Sequence, residues 1–159
     1  MKKIVVATHN INKQKEINAL LKNLSVNVLG MEHFPNIESI EETGSTLLAN
    51  SLIKSRTVSQ ITGLATIADD TGLEVDALDG APGVYSARYA GEQRNANDNM
   101  NKLLKVLEDK SNRTAQFKTV IALHLNGELE TFTGICKGEI TTEKHGKKGF
   151  GYDPIFKAE

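Results

Sequence analysis

Two adjacent carboxylates, Asp69 and Asp70, stand in the stretch A-T-I-A-D-D-T-G-L-E-V-D-A-L at 65–78. Apolar Ala65, Ile67 and Ala68 predict a short buried strand before them. Thr71-Gly72 predicts a turn, and Leu73, Val75 and Ala77 alternate as strand again. Burying one unpaired carboxylate costs several kcal/mol, so the pair is expected to face a cleft, a cation or a helix start. The competing reading is that one Asp caps a turn while the other is solvated, as is common in Asp-Thr-Gly sequences. The stretch alone does not separate the two.

Three other segments carry residues suited to chemistry. Glu41-Glu42 precede Thr43-Gly44-Ser45-Thr46 and a helical pattern. They either favour the positive end of that helix, an effect of roughly 0.3–1 kcal/mol, or one of them joins Asp69-Asp70 around a divalent cation. Hard oxygen ligands from separate loops suit Mg²⁺ when substrate phosphates and water fill its other positions. Thr8-His9-Asn10-Ile11-Asn12-Lys13 joins a strand to a helix, where N–H groups, hydroxyl and amide side chains and a lysine converge in a way that suits a phosphate. The alternative is that Thr8 or Asn10 caps the helix, and the segment lacks the glycines of a Walker or dinucleotide loop. In 145–156 three glycines lie among Lys147, Lys148, Phe150, Tyr152 and Asp153. Aromatic faces plus an acceptor carboxylate can hold a nucleobase; a glycine-rich turn whose aromatics close the core fits equally well.

These segments need elements to position them. Lys3 to Ala7 reads as a strand buried on both faces. Ile17, Leu20, Leu21 and Leu24 fall at helical spacing after it. Val26 to Leu29 reads as a strand and Leu47 to Ile61 as a helix, with a thin apolar face of Leu48, Leu52, Val58 and Ile61 and small Ser51 and Ser55 between. Lys54 and Arg56 on that helix have the bland reading of solvated surface. Residues 80–91 form a turn-rich loop with two tyrosines and an arginine, either a lid or a rigid crossover. Asn95 to Leu107 is a helix with Met100, Leu103, Leu104 and Leu107 toward the core. Thr114 to Leu125 is a long strand, Asn126-Gly127 a hairpin turn and Leu129 to Cys136 the return strand, with Ile140 opening another.

Composition bounds the function. At 159 residues the chain is one domain by length. A formal net charge of −1 argues against nucleic acid or an anionic membrane as the main partner. The apolar run near the N-terminus is too short for a signal sequence or a membrane span. The single cysteine, Cys136, precludes an internal disulfide and reads as a small apolar strand residue, so a cytoplasmic protein is expected. The four histidines show no paired metal spacing, which excludes a zinc site of that kind.

Five motifs now stand in order: T-H-N-I-N-K at 8–13, E-E-T-G-S-T at 41–46, A-D-D-T-G-L at 68–73, G-A-P-G-V-Y-S-A-R-Y-A-G at 80–91 and G-F-G-Y-D-P-I-F at 149–156. Together the five are highly specific although each alone is not, and over essentially its whole length the chain closely resembles the inosine triphosphate pyrophosphatase family. The resemblance implies an α/β fold, an elongated mixed sheet with flanking helices in two lobes and a central cleft, usually as a homodimer. It implies Mg²⁺-dependent hydrolysis of ITP, dITP and XTP to the monophosphate and pyrophosphate, a house-cleaning of the nucleotide pool. By the same resemblance Thr8, His9, Asn10, Ile11, Asn12 and Lys13 form the phosphate-binding loop, assisted by Lys54. Glu41 and Asp70 are the metal ligands, and Asp70 also accepts the proton of the attacking water. Thr71 contacts substrate, and Phe150, Gly151, Tyr152 and Asp153 line the base pocket.

Two departures from the family pattern bear on these expectations. Where the family carries an acidic residue in the segment after E-E-T-G-x-T, this chain has Leu47 and Ala49, which implies weaker metal binding. The family pattern also continues, beyond the position matching Glu159, with a lysine, a Ser-His-Arg motif and a helix. The alternative expectation is therefore a catalytically weak or inactive nucleotide-binding remnant.

Overall fold

The β-branched run near the N-terminus forms strand β1 (Lys2–Val6) in this computed structural model, which describes residues 1–159. Val5 and Val6 are buried. β1 pairs in parallel with β2 (Val26–Leu29), where Lys2 faces Val26, and with the start of β3 (Ala65–Val75), where Ile4 faces Ala65. Parallel neighbours need crossover connections. Helix α1 (Ile11–Leu21) supplies the first and α2 (Leu47–Thr62) lies in the second. The later elements are β4 (Pro82–Gly83), α3 (Ala96–Val106), β5 (Thr114–Leu125), β6 (Glu128–Ile140) and β7 (Phe156–Ala158). The strands hydrogen-bond in the order β2-β1-β3-β5-β6-β7, with β4 antiparallel on β3 and β7 antiparallel on β6. This is a mixed α/β fold, as expected.

The chain divides into two compact units, Met1–Asp70 with Val120–Thr133, and Thr71–Thr119 with Gly134–Glu159. The first has a core of Val5, Ala7, Met31, Ile37, Val58 and Ala68. The second is built around Leu73, Val75, Leu103, Leu107, Ile140 and Ile155, with Phe117 edge-on to Phe156 at 4.6 Å between ring centres. In this second unit Arg113 acts as a brace. Its Nε donates to Ile140 O at 2.7 Å, Nη1 to Leu107 O at 2.9 Å and Nη2 to Thr141 O at 2.7 Å. One guanidinium thus satisfies carbonyls at the end of α3 and at the end of β6.

Several elements match the sequence reading, β2 and β5 to the residue. The hairpin turn has Asn126 at φ 53° and Gly127 at φ 78°, the pair of left-handed residues that a type I′ turn requires. Four expectations need correction. The predicted turn at Thr71-Gly72 does not exist, because β3 runs unbroken through Asp69, Asp70, Thr71 and Gly72. β6 likewise continues to Ile140 without a new strand opening there. Helical spacing found α1 but not its cover: none of its residues is buried, and Leu20 is 80% exposed. Periodicity defines a face, and only tertiary packing decides whether anything lies on it. Cys136 is exposed, not packed as an apolar strand residue.

Replacing the brace, Arg113→Met, leaves three carbonyls without their donor. Urea unfolding should report a loss of about 2–4 kcal/mol, within the range for charged hydrogen bonds and unsatisfied acceptors.

Candidate active site

Lys13, Glu42, Asn50, Lys54, Asp69 and Asp70, all of the first unit, form one hydrogen-bonded and ion-paired group. The loop after β1 begins it. Thr8 Oγ1 accepts the Asn10 N–H at 3.0 Å, and Asn10 Oδ1 accepts the N–H groups of Asn12 and Lys13 at 3.0 and 3.2 Å. Asn10 is therefore the N-cap of α1. This capped turn delivers Lys13 Nζ to Asp69 Oδ2 at 3.0 Å.

Helix α2 supplies the other side of the group. Its buried residues are Leu47, Asn50, Ser51, Lys54, Ser55 and Val58, at helical spacing. Of the apolar stripe expected from Leu48, Leu52, Val58 and Ile61, Val58 is buried together with the small Ser51 and Ser55, Leu52 is half-buried, and Leu48 and Ile61 are 43% and 61% exposed. The face that is buried is largely polar, with Asn50 and Lys54 aimed at the carboxylates. Lys54 Nζ donates to the Asp69 carbonyl oxygen and pairs with Glu42 Oε1 at 3.4 Å. Asn50 Nδ2 donates to Asp70 Oδ2 at 3.1 Å. Lys54 is thus a buried, committed cation, contrary to the solvated-surface alternative. Glu42, not Glu41, reaches this group; Glu41 is exposed.

Electrostatics follow from burial. Asp70 is 5% exposed. Burial pushes its carboxyl pKa up to about 6 and the like charge of Glu42 pushes the same way, against the pull of Lys54, the Asn50 hydrogen bond and Lys13. Three carboxylates meet two lysines, so the group carries an excess of negative charge when ionised. No cluster of three or more His, Cys, Asp or Glu side chains is close enough to cage a metal. The donor set, Asp70 with Glu42 nearby, fits a hard cation held by one or two carboxylates and completed by other oxygens.

The remaining predicted residues lie in the second unit. Thr71 and Thr119 share a hydrogen bond between their hydroxyls at 2.8 Å. Phe150 and Gly151 are half-buried and Asp153 is exposed. Asp153 Oδ2 accepts the Phe150 N–H at 3.0 Å, and a Cβ on Gly149 (φ 84°) would sit 2.3 Å from that carboxylate, so only glycine permits this turn. Tyr152 is buried in the core and its hydroxyl donates to Ser86 O at 2.6 Å. Of the two readings left open for 145–156, Tyr152 takes the core-closing one. Ser86 Oγ in turn donates to Gly83 O at 2.6 Å and accepts the Leu73 N–H at 2.8 Å. The 80–91 segment is therefore tied down as a rigid crossover at Ser86.

Fold and site together define a mixed α/β protein with a buried acidic group braced by two lysines. A model of the Ham1 family matches residues 4–159, and the chain belongs to that family. Among its relatives, the dITP/XTP pyrophosphatase of Flavobacterium johnsoniae is 57% identical over 157 residues, spanning 99% of this chain and 81% of that protein. The dITP/XTP pyrophosphatase of Vibrio cholerae is 48% identical over 161 residues, 98% of this chain and 80% of its own. The structure of a HAM1 protein from Coxiella burnetii superposes with a TM-score of 0.89 at 43% identity, covering 98% of this chain and 81% of that one. The Staphylococcus aureus Ham1 protein gives a TM-score of 0.86 at 42% identity, covering 98% and 80%. No helix is long and apolar enough to cross a membrane.

The raised pKa of Asp70 has a stability consequence. A carboxyl that holds its proton more tightly when folded stabilises the fold fully below its ordinary value of 3.8, and that contribution is lost as pH rises through about 6. In metal-free buffer, Asp70→Asn should therefore be more stable than the parent by about 1–3 kcal/mol well above pH 6, the advantage vanishing toward about pH 4. Thermal melts across that range measure it.

Proposed function

We propose that this chain hydrolyses non-standard purine nucleoside triphosphates (dITP, ITP and XTP) between the α- and β-phosphates, releasing the monophosphate and pyrophosphate, with Mg²⁺ as cofactor. The observation that carries this is Asp70, a buried carboxylate held beside Glu42 and two lysines with its pKa lifted to about 6. The names of the relatives and membership of the Ham1 family support the same reading.

In this mechanism Asp70 is the base. In the metal-free protein, burial and the Glu42 charge raise the proton affinity of this carboxyl, and its place beside the phosphate-binding lysines suits it to take a proton from water as it attacks. The water oxygen bonds to the α-phosphorus, its proton passes to an Asp70 oxygen, and the bond from the α-phosphorus to the bridging oxygen breaks. Pyrophosphate departs with that oxygen. A divalent cation held by Asp70 with a glutamate of the 41–42 pair (Glu42 by its contacts, Glu41 by the family resemblance) would neutralise phosphate charge.

The two lysines divide the remaining work. Lys13 is the more accessible, with a side chain 21% exposed, and can exchange Asp69 for a phosphate oxygen. Thr8 to Asn12 present the rest of the phosphate-binding loop. Lys54 stays with Asp69 and Glu42 as a fixed positive charge. Thr71 is a substrate contact, and Phe150, Gly151 and Asp153 read the base, Tyr152 supporting them from the core. A cytoplasmic homodimer goes with this reading, and light scattering after size-exclusion chromatography checks the assembly.

Pyrophosphate release with Mg²⁺ tests the proposal. Turnover of dITP and XTP should exceed that of ATP and GTP by on the order of 10². Asp70→Asn should lower kcat by about 10²–10⁴. Lys13→Ala should act mainly on substrate binding, raising KM more than it lowers kcat. Equal turnover of all nucleotides would overturn the base specificity. Nucleotide binding with no release from any of them would replace the enzyme by a nucleotide-binding remnant.

A further inference from the structure

Asn50 is 1% exposed, and both ends of its side-chain amide are engaged. Oδ1 accepts the Gly44 N–H at 2.7 Å, while Nδ2 donates to Asp70 Oδ2 at 3.1 Å. The amide has one orientation in which this works, because a backbone N–H needs the oxygen and a carboxylate needs the nitrogen. Asn50 is not required to cap its own helix. Thr46 does that, accepting the Ala49 N–H at 3.0 Å on its hydroxyl and the Asn50 N–H at 3.1 Å on its carbonyl. What the Asn50 side chain does is join a loop to a carboxylate.

The loop has no slack where it is joined. A Cβ on Gly44 would lie 2.6 Å from Ala49 Cβ and 2.7 Å from Asn50 Oδ1, so the backbone rests directly on the first turn of α2. Two residues upstream, Glu42 pairs with Lys54 at 3.4 Å, and its charge is felt by Asp70. Lys54 lies one turn beyond Asn50 on the same buried stripe. Two positions one turn apart on one helix therefore grip the same loop, at Gly44 and at Glu42.

We propose that Asn50 is a positioning residue of the pyrophosphatase reaction: its amide aims the Asp70 carboxylate and, through Gly44, sets the separation between Asp70 and Glu42. The inference rests on the function proposed above, and it concerns a residue that acts through Asp70 and not on substrate. With the amide in place, one Asp70 oxygen is occupied by a neutral donor and the carboxylate cannot rotate freely. Without it, Asp70 and the Glu42 loop move independently. The substrate's own contacts stay where they were, so binding should survive better than turnover.

Asn50→Ala tests the whole device, and Asn50→Leu, of similar size, offers neither an acceptor to Gly44 nor a donor to Asp70. Either folded variant should lose about 10- to 100-fold in kcat toward dITP. KM should stay within about threefold, the pattern of a lost transition-state interaction. The coupling is read without catalysis by ¹⁵N NMR of the Gly44 amide, whose short hydrogen bond places its proton downfield. Asp70→Ala should move that resonance by several line widths when Asn50 is present and leave it in place in the Asn50→Leu background. A folded Asn50 variant with unchanged kcat, or a Gly44 amide indifferent to Asp70→Ala, overturns the proposal. If the parent protein releases no pyrophosphate at all, the functional reading fails, and the Gly44 resonance alone still decides whether Asn50 links loop and carboxylate.

Discussion

Two neighbouring carboxylates lie in the interior of a strand, and every feature around them answers the cost of that burial. An isolated buried carboxylate is too expensive to retain, so it must be paired, hydrogen-bonded or protonated. Asp69 takes Lys13 on its side chain, and its carbonyl takes Lys54. Asp70 takes an Asn50 hydrogen bond and a raised pKa. The α1 cap serves to bring Lys13 into range, and the polar stripe of α2 brings Asn50 and Lys54. The compensation is incomplete, since three acids face two bases. That residual charge is what makes the group suited to a cation and to general-base chemistry, where a fully neutralised cluster would be only a structural tie.

Much of this was legible in advance where local chemistry is decisive. The β-branched run of β1, the Asn126-Gly127 hairpin and the leucine spacing of α3 each follow from short-range rules that tertiary structure had no reason to override. The five ordered motifs led to a family resemblance that is borne out by Ham1 membership. Asp69 and Asp70 stood out because two acids next to an apolar strand require an explanation.

Other features were hidden by the same rules. A hydrophobicity argument assigns the inner face of α2 to Leu48, Leu52, Val58 and Ile61; Val58 is there, with Ser51 and Ser55, but Asn50 and Lys54 take the place of Leu48 and Ile61. Their spacing was visible in the sequence. Only the presence of the carboxylates opposite makes that polar face the inner one. Glu42 and Glu41 are equivalent by type, and the turn into α2 alone selects which of them meets Lys54. Thr71-Gly72 reads as a turn because its residue types are common in turns, yet strand pairing held the chain extended. Tyr152 looked like a stacking surface because an aromatic among glycines fits both roles. Its hydroxyl bond to Ser86 O, sixty-six residues away in the chain, commits it to the core.

The burial of Asp70 also bears on how this protein could be engineered or could drift. A neutral isostere at this position would raise stability above about pH 6, since it removes a desolvated charge while keeping an acceptor for Asn50. It is also where such a gain would dismantle the chemistry. Selection for thermal robustness alone would therefore be expected to enrich changes at this carboxylate that leave a sturdier but silent fold. A screen that reads melting temperature without turnover would rank those failures first.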